Sequence, residues 1–90
     1  MAVNSYLVES YVTRATEALE ASCASARRTA EIDSSVLYIR STYVPGDELA
    51  LHLFEAPSLE VLEEAGRRAD LDFERIVEAI DEREAHTEEA

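Results

Sequence analysis

Residues 45–55 read PGDELALHLFE. Pro45 presets φ at the second position of a turn and Gly46 accepts a positive φ at the third, so the chain is predicted to reverse over Pro45, Gly46 and Asp47. Behind the turn, Leu49, Leu51 and Leu53 alternate with Ala50, His52 and Phe54, which is the period of a strand. Ahead of it, residues 36–44, VLYIRSTYV, are β-branched and aromatic and read as the strand that pairs with it. The hairpin is the fixed point around which the rest of the chain has to be arranged.

Upstream, residues 5–12 (SYLVESYV) alternate as a first strand. Residues 13–31 follow as a helix, with Leu19, Cys23, Ala26 and Ala30 on one stripe, Thr13 or Thr16 as N-cap, Glu17 and Glu20 near the positive end and Arg27 and Arg28 near the negative end. Downstream, Ser58 caps a second helix over residues 58–69, in which Gly66 allows close approach to a sheet beneath. Residues 74–80, ERIVEAI, fit either a helix or a strand by periodicity; a strand is preferred because the sheet otherwise lacks a partner. Strand, helix, strand, strand, helix, strand is the split βαβ arrangement. It predicts an α+β, ferredoxin-like βαββαβ sandwich, a four-stranded antiparallel sheet with two helices on one face.

Ninety residues hold one such domain, assigned to residues 1–80, and residues 81–90 are an acidic C-terminal tail expected to be flexible. Twenty acidic residues against eight arginines and no lysine give a net charge of −12. That sign argues against nucleic acid and anionic membrane and favours cations as ligands. No apolar run reaches the ~20 residues of a membrane span, and there is no leader pattern, so a cytoplasmic protein is expected. A single cysteine, Cys23, rules out an internal disulfide and cysteine-pair zinc motifs; on the helix stripe it reads as a small core residue. No glycine-rich phosphate loop or nucleotide or flavin motif occurs.

Alternation along the strands places Tyr6, Val8, Leu49, Leu51 and Leu53 under the helices, with Leu19, Cys23, Leu59 and Leu62. The opposite face is then assigned Leu7, Glu9, Tyr11, Ala50, His52 and Phe54, with Tyr38 and Arg40. That face is too apolar for water, and sheet-to-sheet homodimerisation is the expected remedy. Within it, Glu9, Tyr38, Arg40, His52 and Phe54 are candidates to line a small-molecule cavity. His52 beside Glu9 suits metal binding or proton transfer; the competing reading is a half-buried strand histidine bonded to a tyrosine or carboxylate. Glu9 with Arg40 reads either as a clamp for a carboxylate substrate or as a cross-strand ion pair. His86 and Glu82 lie four apart, so a helix extended into the tail would offer both to a divalent cation, against the reading of a solvating tail.

Several segments carry a resemblance: YLVESY at 6–11, YIRSTYV at 38–44, LHLFEAPS at 51–58, EAGRRADL at 64–71 and ERIVEAI at 74–80. Together they resemble a small bacterial ferredoxin-like family of unknown function that includes a nickel-binding protein. The resemblance implies a dimeric α/β-barrel assembly, nickel or another divalent cation bound near the dimer surface, and no established enzymatic activity. It also favours the strand at 74–80. It departs at His52, where the family often has cysteine, so a role carried by that thiol would here pass to an imidazole or be lost. The function expected is a small homodimeric nickel-binding protein. The alternative is a small-molecule enzyme of the dimeric α/β-barrel type, a cofactor-independent oxygenase, isomerase or cyclase using a sheet-face cavity.

Overall fold

The computed structural model describes residues 3–80. In chain order it has β1 (Asn4–Tyr11), α1 (Thr16–Ile32), β2 (Leu37–Val44), β3 (Leu49–Ala56), α2 (Leu59–Arg68) and β4 (Arg75–Ala79). The four strands form one antiparallel sheet in the order β2-β3-β1-β4, which is the ferredoxin-like arrangement expected from the element order. Beyond the strand ends, Val12 N donates to Glu48 O at 2.8 Å and Glu74 N to Glu9 O at 2.7 Å, so β1 is tied to β3 over its whole length and to β4 from Ser5 to Glu9. No helix among the described residues is long and apolar enough to cross a membrane. The tail at 81–90, with Glu82 and His86, lies outside the described residues.

Each element has a local cause. The Ser58 side chain accepts from Val61 N at 3.2 Å and caps α2, Glu60 sits in its first turn, and Arg67 and Arg68 close it at the negative end. The first helix starts later than its sequence suggests: Ala15 is its N-cap, with no side-chain cap, and neither Thr13 nor Thr16 takes that role. It also runs on to Ile32, which leaves no basic residue in its last turn. The turn between β2 and β3 differs as well. Pro45–Asp47 forms a 3-10 turn in which Gly46 keeps a negative φ, and Glu48 carries the left-handed conformation at φ 50°. Gly66 does not face the sheet; a Cβ there would lie 3.6 Å from Phe73 Cε1 and 3.8 Å from Leu71 Cδ2, ordinary contacts with the segment after α2.

The core gathers Tyr6 and Val8 of β1, Phe54 and Ala56 of β3, Ala26 of α1, Leu62 and Ala65 of α2, and Val36 and Leu71 from the connections. Here the structure corrects the expected face assignment. Tyr6 pairs with Phe54, Val8 with His52 and Ser10 with Ala50. Residues directly opposite in an antiparallel pair share a face, so Ala50, His52 and Phe54 lie under the helices and Leu49, Leu51 and Leu53 lie on the open side. All three of the former are 0 % exposed. Both sets in β3 are apolar enough to be buried; only the partner strand tells them apart. On the helices, Leu62 is buried as expected, while Leu19 and Cys23 are half-buried and Leu59 is exposed. The buried side of α1 consists of Ser25, Ala26 and Thr29, all small.

Candidate functional site

The polar group at the centre of this interior is His52. It sits mid-way along β3, between β1 and β2, with α1 above it. Its Nδ1 lies 2.6 Å from Ser41 Oγ and its Nε2 lies 2.8 Å from Ser22 Oγ. Ser41 Oγ in turn lies 2.6 Å from the hydroxyl of Tyr38, whose ring tilts at 54° against Phe54 with centroids 5.5 Å apart. The result is a chain of four polar groups, Tyr38, Ser41, His52 and Ser22, running from β2 through β3 to α1.

A backbone irregularity makes this chain possible. Tyr38 pairs with Phe54 and Arg40 with Leu53, so Ile39 is an extra residue in β2. In a regular strand Tyr38 and Ser41, three apart, would point to opposite faces. The bulge resets the alternation, and both face the helices. The bulge supplies Nδ1 with Ser41 and α1 supplies Nε2 with Ser22, so the histidine is buried without an unpaired polar atom.

Burial favours the neutral imidazole and pushes the His52 pKa from 6.5 down to about 4. At neutral pH one ring nitrogen therefore donates and the other accepts. With the proton on Nδ1, Ser41 receives it and Nε2 accepts the Ser22 proton. Ser22 then turns oxygen lone pairs outward. With the proton on Nε2, Ser22 receives it and keeps its own O–H to donate. Ser22 is where this chain of bonds meets the outside, because it also lines a cleft of about 360 Å³. The cleft lies between the end of β1 (Val12, Thr13), α1 (Ala18, Ala21) and the segment after α2 (Asp70, Asp72). Ser25 on the same wall accepts from Arg28, whose guanidinium also holds the carbonyl of Ala69 at 3.1 Å and so braces the two helices. Ser10, 1 % exposed, lies on the same sheet face between Val8 and Val12, and its hydroxyl has no hydrogen-bond partner among the described residues.

The residues singled out from sequence divide into two groups. Tyr38, His52 and Phe54 come together on the helix side, not on the open face where the sequence reading put them. Glu9 and Arg40 stay on the open face and do not pair. Glu9 Oε1 accepts from Arg75 Nε of β4 at 3.0 Å, a bond that raises the Arg75 pKa, while Arg40 lies two strands away beside Leu53. His52 and Glu9 therefore cannot share a ligand within one protomer. Nor does the imidazole suit nickel or zinc where it stands: its two nitrogens are taken by serine hydroxyls and no carboxylate or thiol joins them. Among the described residues no group of three or more His, Cys, Asp or Glu is placed to hold a metal ion. Ser22 and Ser41 were missed by sequence reasoning. A signal exists for the first, since Ser22, Ser25 and Thr29 recur at spacings of three and four along α1, a polar stripe on the helix side that should be apolar.

No protein-family model matches this chain, and no curated protein does. A solved structure is similar: that of SCO4226 from Streptomyces coelicolor A3(2), at a TM-score of 0.67 and 18 % sequence identity, covering 83 % of this chain and 94 % of that one. At that identity the likeness establishes a shared ferredoxin-like fold and nothing about ligands or chemistry.

Proposed function

We propose that the chain is a small homodimeric protein, closed by the open sheet face of one protomer against that of its partner, and that it serves as a divalent-cation binding protein without established catalytic activity. The observation that supports this is the composition of the open face. In register across the sheet its rows are Leu37, Glu55, Ser5 and Ala79; Arg40, Leu53, Leu7 and Val77; Thr42, Leu51, Glu9 and Arg75; and Val44, Leu49 and Tyr11, so that leucine, valine and tyrosine run through the middle with charged residues between them. Three strands of eight residues and one of five, at about 4.8 Å spacing and about 3.3 Å rise, make a footprint of ~460 Å². Side-chain relief raises the accessible area above that figure, toward the ~800 Å² per partner of a standard interface. Leu37 and Tyr11 are 55 % and 67 % exposed in the single chain, which is where a second copy gains most by covering them.

Nickel belongs to this proposal on the family resemblance and on the charge of −12. His52 and Glu9 are not offered as its ligands. Cytoplasmic residence, which a single free thiol supports, is proposed with it. Sedimentation equilibrium tests the assembly: the wild type is expected as a dimer, and Leu53→Glu, at the centre of the open face, as a folded monomer. A wild type that stays monomeric at millimolar concentration refutes it. Calorimetric titration of nickel into tag-free, chelator-treated protein tests the cation. Saturable heat that persists in His52→Gln is expected, and the absence of any saturable signal ends that part of the proposal.

A second reading, the small-molecule enzyme of the dimeric α/β-barrel type, is favoured by one observation, the neutral His52 bonded to Ser22 at the edge of a cleft.

A further inference from the structure

The cleft beside Ser22 combines features that are unrelated in sequence. Its volume of about 360 Å³ falls in the range of small-molecule sites. Val12, Ala18 and Ala21 supply an apolar wall, and Asp70 and Asp72 supply two carboxylates. Ser22 on its wall is half-buried, with its hydroxyl tied to His52, and Ser10, two residues before the lining Val12 on the same sheet face, is buried with no hydrogen-bond partner for its hydroxyl among the described residues. A buried hydroxyl left unpaired is uncommon in a folded protein, and Ser10 is joined to the lining of the cleft through Tyr11 and Val12.

We infer that this cleft binds a small organic cation, a primary amine or amino alcohol, drawn in by Asp70 and Asp72 and hydrogen-bonded to Ser22. The lining residues include no basic side chain, and the Arg28 guanidinium that donates to Ser25 of the wall also donates to the Ala69 carbonyl, so the charged groups of the lining itself are the two carboxylates. The Ser41, His52, Ser22 chain adds a directional element. When an N–H of the ligand donates to Ser22 Oγ, the serine proton is turned to Nε2 and the ring proton to Nδ1, where Ser41 accepts it. The ligand thus selects one imidazole tautomer without touching the imidazole. An anion would require the reverse, a donating Ser22 beside two carboxylates, and is disfavoured on both counts. The inference rests on the second reading only in placing a small molecule in the cleft; it requires neither dimer, nickel nor catalysis.

The test is a titration of full-length protein with ethanolamine, followed through the His52 ring nitrogens by long-range proton–nitrogen NMR, with ethylene glycol and glycolate as neutral and anionic counterparts. Ethanolamine has four heavy atoms, so saturation is expected near ~1 mM, with His52 moving to the Nδ1-protonated tautomer. Ser22→Ala is expected to weaken binding about fivefold. Asp70→Asn combined with Asp72→Asn, at exposed positions where folding is retained, is expected to weaken it at least ~10-fold. Shifts that never saturate, or that saturate equally in the double asparagine variant, overturn the inference and leave only general attraction of cations to an acidic chain. Saturation by ethylene glycol or glycolate but not ethanolamine overturns the choice of a cation while keeping the cleft as a small-molecule site. No saturation by any of the three removes both.

Discussion

His52 makes the stability of this protein depend on pH in a way that can be separated from its many carboxylates. The imidazole is buried and held neutral, with its pKa lowered from 6.5 to about 4, whereas in the unfolded chain it titrates near 6.5. Between those values the unfolded state binds the proton and the folded state does not, so protonation draws the chain toward unfolding as pH falls. The stabilisation is complete above pH 6.5 and is lost by pH 4. That depression of the pKa corresponds to about 3 kcal/mol, a large part of the 5–15 kcal/mol typical of a domain. Twenty acidic residues also titrate in this range, and relief of their repulsion acts in the opposite direction. The comparison with His52→Gln removes them, because both proteins carry the same carboxylates. Urea unfolding of the two, at one protein concentration and monitored by far-UV circular dichroism because the chain has no tryptophan, gives the difference in stability at each pH. The advantage of the wild type over the variant is expected to shrink by about 3 kcal/mol from pH 7 to pH 4, most steeply between pH 6.5 and 4. A difference that stays constant across that interval refutes the reasoning. So does a folded-state ring-proton titration of wild-type His52 near 6.5, a measurement that holds even where the glutamine variant does not fold.

Three further outcomes follow from the same structure. Gly66 sits in the last turn of α2 with room for a Cβ at ordinary contact distance from Phe73 and Leu71, so Gly66→Ala is expected to stabilise the protein by about 0.5 kcal/mol in urea unfolding. Glu48 holds φ 50° with an exposed side chain, and Glu48→Gly is expected to raise stability by ~0.5 kcal/mol and leave the β2–β3 pairing intact; a loss would mean the side chain has a role the fold does not show. Two protomers each carrying −12 repel, so the proposed sheet-to-sheet dimer should tighten as sodium chloride rises from about 20 to 500 mM, read by sedimentation equilibrium; a dimer that loosens with salt is held by charge pairs and not by the leucine face.

The order of elements was legible because each one has a local signature: alternation in β1 and β3, a serine cap for α2, a proline turn between β2 and β3. The ferredoxin-like topology follows from that order by the handedness of its crossovers. Which face of β3 turns inward was not legible, since Leu49, Leu51 and Leu53 are better hydrophobes than Ala50, His52 and Phe54 and the contest is settled only by pairing with Tyr6 and Val8. The candidate site depended on that choice and on a second hidden feature. Ile39 looks like any strand residue in YIRSTYV, yet it is the bulge that brings Ser41 to the side of Tyr38. A bulge leaves no mark in apolar periodicity when the residues around it are mixed, and so the serine partners of His52 could not be counted before the register was known.

The small polar stripe of α1 and the three leucines facing away from it are consequences of one parity. Ser25, Ala26 and Thr29 give α1 a low surface toward the sheet, and β3 meets it with alanine at two of its four inward positions, Ala50 and Ala56. A row of leucines in their place would lift the helix and carry Ser22 away from β3. The leucines instead go to the open side, where nothing in the protomer covers them and a second copy can. Slipping β3 by one residue against β1 would exchange the two sets at a stroke: the leucines buried, the imidazole turned to solvent, its bonds to Ser22 and Ser41 gone. The proposed cleft site and the proposed dimer face thus share a single structural requirement, the pairing of Tyr6 with Phe54 and Val8 with His52. A substitution that shifts that register should abolish ethanolamine binding and dimerisation together, whereas Leu53→Glu, which leaves it in place, should abolish dimerisation alone.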